Sequence, residues 1–163
     1  MIQDCVDTVK RHTGKQLAGW LGPALSNTVV TPDLLAELRI KYTCDFFHDD
    51  QPFPMRVRQG RLISIPYSLE MNDVIVYGGG HSGAYYGQII KDQFDVLYAE
   101  GAESARVMCI PIHPFLVSHP HRLEYFADAL DYICAHAGVW KATGEEIADW
   151  YLDNYYDAMA PKA

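Results

Sequence analysis

The sequence predicts an α/β fold with largely parallel strands. Segments with the apolar spacing of amphipathic helices alternate along the chain with short apolar segments of strand length. Val107–His113 is apolar at nearly every position, as expected for a strand that is covered on both faces of a parallel sheet. No repeat, low-complexity tract or linker divides the chain. We therefore expect a single α/β domain over residues 1–157, followed by a polar tail at 158–163.

The first third of the chain predicts a helix, a strand and a second helix. The opening segment has apolar residues at helical spacing, and Gly14 supplies the left-handed residue that ends many helices. Gln16–Trp20 is a strand candidate. Thr31 can cap a helix that starts at Pro32. The buried stripe of that helix would consist of Leu34, Leu35 and Leu38.

Two strands are predicted in the next segment. Apolar residues alternate with polar ones, as in a half-buried strand, at Tyr42, Cys44 and Phe46. Leu62–Ile65 is a second strand. The prolines and the glycine of 51–54 and 59–60 indicate turns between the two.

The second half of the chain predicts three helices. Tyr86–Tyr98 has apolar positions at helical spacing. A longer helix begins at Pro120, and its apolar stripe would comprise Leu123, Phe126, Leu130, Ile133, Cys134 and Ala137. After a brief strand at Val139–Trp140, Thr143 and Glu146 form a capping box that predicts the last helix.

The composition disfavours several classes of partner. A net charge of −8 and a pI near 5.2 argue against binding to nucleic acid or to anionic membranes, both of which need clustered basic residues. There is no run of about 18 apolar residues, and the first residues lack the apolar centre of a signal peptide, so we expect a cytoplasmic protein. No Cys-x-x-Cys pair occurs. The four cysteines are interpreted as buried thiols: Cys5, Cys44, Cys109 and Cys134.

Three histidines follow or end the predicted strand Val107–His113. In parallel α/β folds the chemistry lies at the carboxyl ends of the strands, so His113 is a candidate general acid or base, or else a hydrogen-bonded core histidine. His119 and His121 could belong to a histidine metal site. The alternative is that they are exposed residues at the start of a helix.

Two further segments contain polar residues of interest. Asp45, Asp49 and Asp50 could supply a base or a metal ligand, or could form a solvated turn. Gly78–Gly83 lacks the pattern of a nucleotide-binding loop and is interpreted as a flexible loop, with His81, on the substrate side.

Five segments in order resemble allantoinase-type and related polysaccharide deacetylases, the NodB-like family. The resemblance covers nearly the whole chain. The segments are Thr13–Trp20, Tyr42–Asp45 with Asp49–Phe53, Ile65–Asp73, Phe94–Gly101, and Ile112–Pro114 with Pro120–Arg122.

The resemblance implies the C-terminal half of a distorted, TIM-barrel-like (β/α) barrel that hydrolyses amide-type C–N bonds with a zinc-like divalent metal. His113 would be the acid that protonates the leaving nitrogen. The residues on the substrate side would be Trp20, Asp45, Asp49, Asp50, Tyr67, Asn72, Asp73 and His81. The substrate would be a small amide, a ureide or an N-acetyl sugar.

The sequence also departs from the family. Leu17 stands where the related proteins usually have proline, and the metal ligands and catalytic base of the family lie in its first half, whose motifs are not found here. We therefore expect no metal on this chain alone, and a homodimer or a complementing N-terminal half as partner. The alternatives to part of a hydrolase are a non-catalytic half-barrel module and, less favoured, a self-contained histidine metal protein.

Overall fold

The computed structural model describes residues 1–160, which form two compact units. The first unit comprises Met1–Ile65 and the segment that begins at Ala142, and the second comprises Pro66–Lys141. The helices are α1 (Ile2–Thr13), α2 (Thr31–Glu37), α3 (Asp73–Gly78), α4 (Gly83–Glu100), α5 (Pro114–Val117), α6 (Pro120–Ala135), α7 (Gly144–Asn154) and α8 (Tyr156–Met159). The strands are β1 (Gly19–Trp20), β2 (Tyr42–Thr43), β3 (Phe53–Pro54) and β4 (Ile63–Ser64).

The first unit contains a four-stranded sheet in the order β1-β2-β4-β3. The pairs β1·β2 and β2·β4 are parallel, as predicted, and β3 is an antiparallel strand at the edge. The expected turn at 51–54 therefore provides this edge strand. A proline is tolerated there because an edge strand has one side that needs no N–H donor.

The face of β2 that is buried is the opposite of the predicted one. Thr43 and Asp45 are only 1% and 4% exposed, whereas the predicted inward residues Tyr42, Cys44 and Phe46 are half-buried. Tyr42 packs on the other side of the strand, where a β-carbon on Gly19 or Gly144 would overlap its ring. The alternation was visible in the sequence, but it does not tell which face has room for an aromatic ring.

The core of the first unit is built by α1, α2, the segment after α2 and the residue before β4, and its buried residues are Val6, Leu35, Ala36, Ile40 and Leu62. Two expectations for α2 were wrong. Thr31 does not cap the helix, because its Oγ1 accepts a hydrogen bond from Thr28 N at 2.9 Å. Leu34 is exposed and Leu38 half-buried, because the buried face of α2 carries Thr31 and Leu35, which lie four positions apart, and the chain then turns to bury Ile40.

The second unit is helical around one core, which comprises Met71, Val76, Tyr86, Ile90, Val117, Phe126 and Ala129. The predicted stripe of α4 is confirmed. Gly87 lets α4 and α6 approach closely, since a β-carbon there would lie 2.8 Å from the Tyr125 carbonyl oxygen. The buried face of α6 is narrower than predicted, and its Leu123, Leu130 and Cys134 are exposed.

Two predicted strands are absent from the described part of the chain. Val107–His113 and Val139–Trp140 belong to no sheet, and Val107–His113 is half-buried except for the exposed Ile112. A strand needs a hydrogen-bonded neighbour, and apolar composition alone does not supply one. The carbonyl of Pro111 instead accepts a hydrogen bond from Asp73 N at 3.2 Å.

The remaining expectations concern the cysteines, the tail and the helix ends. None of the cysteines is fully buried: Cys5 and Cys134 are exposed on helices, and Cys44 and Cys109 are half-buried in segments outside the helices and strands. Of the expected tail, residues 158–159 lie in α8 and residues 161–163 lie outside the described part. The end of α1 at Gly14 and the capping box of α7 are confirmed.

Across residues 1–160, no helix combines the length and the apolarity that crossing a bilayer requires.

Candidate active site

The candidate site of the second unit is built at the start of α3. Asn72 is the N-cap residue, and its Oδ1 accepts a hydrogen bond from Val74 N at 2.9 Å. The Asn72 Nδ2 donates to Tyr67 OH at 2.8 Å. Asp73 is the first residue of the helix and is completely buried. The cap and the tyrosine therefore fix the backbone from which the Asp73 carboxylate projects.

Asp73 holds His113 by two contacts. The Asp73 Oδ2 accepts a hydrogen bond from His113 N at 2.7 Å, and Oδ1 lies 2.6 Å from His113 Nδ1. A buried carboxylate needs such partners, because an uncompensated charge in a protein interior is costly. The pair fixes both the backbone and the imidazole of a residue that lies forty positions later in the chain.

This geometry leaves the other ring nitrogen of His113 available. With the carboxylate ionised, Nδ1 carries a proton toward Asp73, so Nε2 is the position that can give or take a proton. The side chain of His113 is 39% exposed while that of Asp73 is 0% exposed. The pair can therefore act as an oriented acid or base at the surface of this unit.

A buried tyrosine supports the same segment. Tyr86 OH donates to the Met71 carbonyl oxygen at 2.8 Å, next to Asn72. Burial, followed by the negative charge of Asp73, raises the pKa of Tyr86. Burial also raises the pKa of Tyr77, against the opposing effect of Arg122, whose guanidinium lies 3.9 Å from the ring centroid of Tyr77. Both phenols therefore stay neutral at ordinary pH.

His81 is not part of this group. It is exposed and precedes α4, where its ring stacks on Tyr85 with the centroids 4.1 Å apart. His119 and His121 are also exposed, at the start of α6, with their rings 5.7 Å apart. The structure thus brings together four of the five predicted site residues of the second unit: Tyr67, Asn72, Asp73 and His113.

The other predicted site residues lie in the first unit, at the carboxyl end of the sheet. Asp45 accepts a hydrogen bond from Gly22 N through Oδ1 at 2.5 Å, and its buried Oδ2 has no hydrogen-bond partner. Asp49 accepts from Gln51 N at 3.1 Å, as in a tight turn, and Asp50 is exposed. Trp20 is the last residue of β1 and is half-buried.

Sequence reasoning missed two buried hydroxyl residues beside Asp45. Thr43 pairs in register with both Trp20 and Ser64, and Ser64 is buried without a partner for its Oγ. Thr43 Oγ1 accepts a hydrogen bond from Asp45 N at 3.4 Å, which places this hydroxyl next to Asp45. Only the register of the strands could have revealed that Thr43 and Ser64 lie side by side, and register cannot be read from one sequence.

The described residues do not fit a metal centre. No group of three or more His, Cys, Asp or Glu side chains within residues 1–160 is arranged to hold a metal ion. Zinc sites in enzymes take about three protein ligands. The unpaired Asp45 Oδ2 is one potential ligand atom, and a single atom is not enough.

The chain is similar in sequence to two deacetylases. A Schizosaccharomyces pombe protein named as a polysaccharide deacetylase is 34% identical in an alignment 131 positions long, which covers 72% of this chain and 41% of that protein. A peptidoglycan deacetylase of Helicobacter pylori is 29% identical over 90% of this chain and 61% of its own length. The chain belongs to the polysaccharide-deacetylase (NodB-like) family. No model of a protein family matches the sequence.

Solved structures agree with this assignment and confirm the α/β fold class. An allantoinase superposes with a TM-score of 0.82 at 27% identity, over 94% of this chain and 52% of the allantoinase. A Pseudomonas aeruginosa protein named as a polysaccharide deacetylase gives a TM-score of 0.83 at 27% identity, with the same coverage. The chain therefore spans about half the length of the proteins that it matches, as expected for part of a deacetylase barrel.

Proposed function

We propose that this chain supplies the proton donor of a hydrolase that removes acetyl groups from N-acetylated sugars, with His113 as the donor. The observation that carries the proposal is the double contact between Asp73 and His113, which leaves Nε2 as the reactive nitrogen. Family membership supports the reaction class, because the relatives are named as polysaccharide and peptidoglycan deacetylases.

The two residues would act as a unit in breaking the amide bond. Cleavage of a C–N bond leaves a nitrogen that must gain a proton, and an imidazolium whose Nδ1–H is bonded to Asp73 presents its Nε2–H for that transfer. After the transfer, the neutral ring keeps its proton on Nδ1. The buried carboxylate stabilises the positive charge of the ring before the transfer and orients it throughout.

The substrate class follows from the relatives, and one observation favours a second class. An N-acetyl sugar fits the names of both curated relatives. The similarity to an allantoinase favours a ureide as the alternative. Both substrates contain an amide nitrogen that leaves as an amine or urea nitrogen, so the same proton donor would serve either of them.

We further propose that the complete site needs a complementing polypeptide that supplies the remaining length of the barrel. The described residues lack a group of metal ligands, and the chain spans about half of its relatives. The strand order leaves the outer side of β1 unpaired among the described strands, and such an edge can accept another strand. The zinc-like metal that the family resemblance implies would be held by that polypeptide.

The test is a complemented assembly, made by co-expressing this chain with the part of the Schizosaccharomyces pombe relative that it does not cover. Hydrolysis of N-acetylglucosamine oligomers and of allantoin is measured for the assembly and for the chain alone. We expect turnover of the sugar oligomers by the assembly only. His113→Ala should lower the rate about a hundredfold to ten-thousandfold, the usual cost of losing a general acid.

His121→Ala is the matched control, because this histidine is exposed at the start of α6 and contacts neither Asp73 nor His113. It should leave the rate unchanged. A normal rate for His113→Ala in an active assembly would reassign the proton donor. An assembly that binds the sugar oligomers but never turns them over would favour the non-catalytic module, which the absence of a ligand group among residues 1–160 also favours.

A further inference from the structure

We infer that Asn72 is a positioning residue for His113 and acts through Asp73. The inference rests on the proposed function, since it concerns how the proposed proton donor is held. Asn72 touches neither ring nitrogen of His113. Its effect would be exerted on the backbone of the residue that follows it.

Both ends of the Asn72 side chain are used within the second unit. The Oδ1 accepts from Val74 N at 2.9 Å, and the Nδ2 donates to Tyr67 OH at 2.8 Å. The residue is only 8% exposed, so water does not readily replace these bonds. Asn72 therefore links the first turn of α3 to the segment that precedes it.

The position of Asp73 depends on that first turn. The helix α3 has only six residues, and a helix of this length is marginal unless its free N–H groups are satisfied. Asp73 is its first residue and contacts His113 at 2.6 and 2.7 Å. Without the two side-chain bonds of Asn72 the turn could shift even while it stays helical, and this would move the carboxylate. A displacement of about 1 Å can cost a hundredfold in rate when catalytic groups must be aligned.

The tautomer of His113 reports this positioning directly. A carboxylate held against Nδ1 favours the neutral form that has its proton on Nδ1. If the carboxylate is free to move, the imidazole has less reason to prefer that form. A helix that is merely less stable would not change the ratio of the tautomers in the molecules that remain folded.

The experiment measures the two ring-nitrogen chemical shifts of His113 by NMR, on the neutral imidazole of the full chain labelled with ¹⁵N-histidine. The signals are assigned with His113→Gln. In the wild type we expect the Nδ1–H form to predominate. In Asn72→Ala we expect the ratio of Nδ1–H to Nε2–H to fall by about fivefold or more, toward a mixture.

Three further variants separate positioning from general destabilisation. Asn72→Gly removes the same side chain, yet glycine at an N-cap costs only a few tenths of a kcal/mol, so a folded protein is available even if Asn72→Ala does not fold. Asn72→Ser keeps a capping oxygen and should restore most of the wild-type ratio. Ser82 is the equivalent N-cap residue of α4, and its Oγ accepts a hydrogen bond from Tyr85 N at 3.2 Å. Ser82→Ala removes this cap and should leave the tautomer ratio of His113 unchanged.

The inference is overturned if folded Asn72→Gly keeps the wild-type ratio, or if Ser82→Ala changes the ratio as much as the Asn72 variants do. The proposed function is tested separately by hydrolysis. A complemented assembly without turnover would remove the proposed reaction and leave the NMR result intact. An active assembly with an unchanged ratio in Asn72→Gly would remove only the role of Asn72.

Discussion

Replacing Tyr86 with phenylalanine tests how firmly the segment that carries Asp73 is held. Tyr86 is completely buried, and its hydroxyl donates to the Met71 carbonyl oxygen at 2.8 Å. The substitution removes one oxygen atom and leaves the ring in place among the same core residues. The lost stability therefore reports one buried hydrogen bond.

The magnitude follows from what the variant leaves behind. The Met71 carbonyl would stay buried with its side-chain donor missing, and an unsatisfied buried group costs about 1–3 kcal/mol. We expect the free energy of unfolding to fall by about 2 kcal/mol. For a chain of this size the midpoint of thermal unfolding should fall by roughly 4–8 °C.

The assay is urea unfolding followed by far-UV circular dichroism, with Tyr98→Phe as the matched control. Tyr98 also lies on α4 and also donates to a backbone carbonyl, that of Ala137 at 2.9 Å, but it is 43% exposed. Water can replace that bond, so this variant should lose less than about 0.5 kcal/mol. Equal losses in the two variants would refute the argument from burial.

The difference in stability between the wild type and Tyr86→Phe should depend on pH. Burial raises the pKa of Tyr86 above its ordinary value of 10.0, so the folded state keeps a proton that the unfolded state releases. The stability contributed by the neutral phenol is complete below about pH 10 and is lost as the pH rises above it. The wild type should therefore lose more stability in alkali than Tyr86→Phe does. A constant difference between the two from pH 8 to pH 11 would contradict this.

Two further predictions concern packing and assembly. Gly87→Ala should destabilise the chain by about 1–3 kcal/mol in urea unfolding, because the new β-carbon would lie 2.8 Å from the Tyr125 carbonyl oxygen. Gly78→Ala is the control: beyond its own helix backbone and chain neighbours the new β-carbon would meet no atom within 4 Å, so the variant should be neutral or stabilising by up to about 1 kcal/mol. Light scattering coupled to size exclusion should show the purified chain as a dimer or larger species, since the outer side of β1 is unpaired among the described strands. A compact monomer at micromolar concentration would contradict this expectation of self-association.

The sequence predicted well those features that depend on neighbours within one turn of helix. The left-handed residue at Gly14, the capping box of Thr143 and Glu146, and the buried stripe of α4 each depend on residues at most four positions apart. Local geometry decides these features, so a single sequence contains the necessary information.

Features that depend on distant partners could not be predicted. The apolar run Val107–His113 looks like a strand, but pairing is a property of two segments, and in the described structure it pairs with none. Asp73 was expected on the substrate side, and its contact with His113 joins residues forty positions apart. The pairing of Thr43 with Ser64 likewise depends on strand register.

The central claim, that Asp73 and His113 act as one unit in proton transfer, is tested most directly by a double-mutant cycle in the complemented assembly. The hydrolysis rates of N-acetylglucosamine oligomers are measured for Asp73→Asn, for His113→Ala and for the double variant. If Asp73 acts only by holding the imidazole, the double variant should be no slower than His113→Ala alone, because residues that work as a unit show strongly non-additive losses. Losses that multiply, with the double variant slower than His113→Ala by the full factor of Asp73→Asn, would show that the two residues act independently.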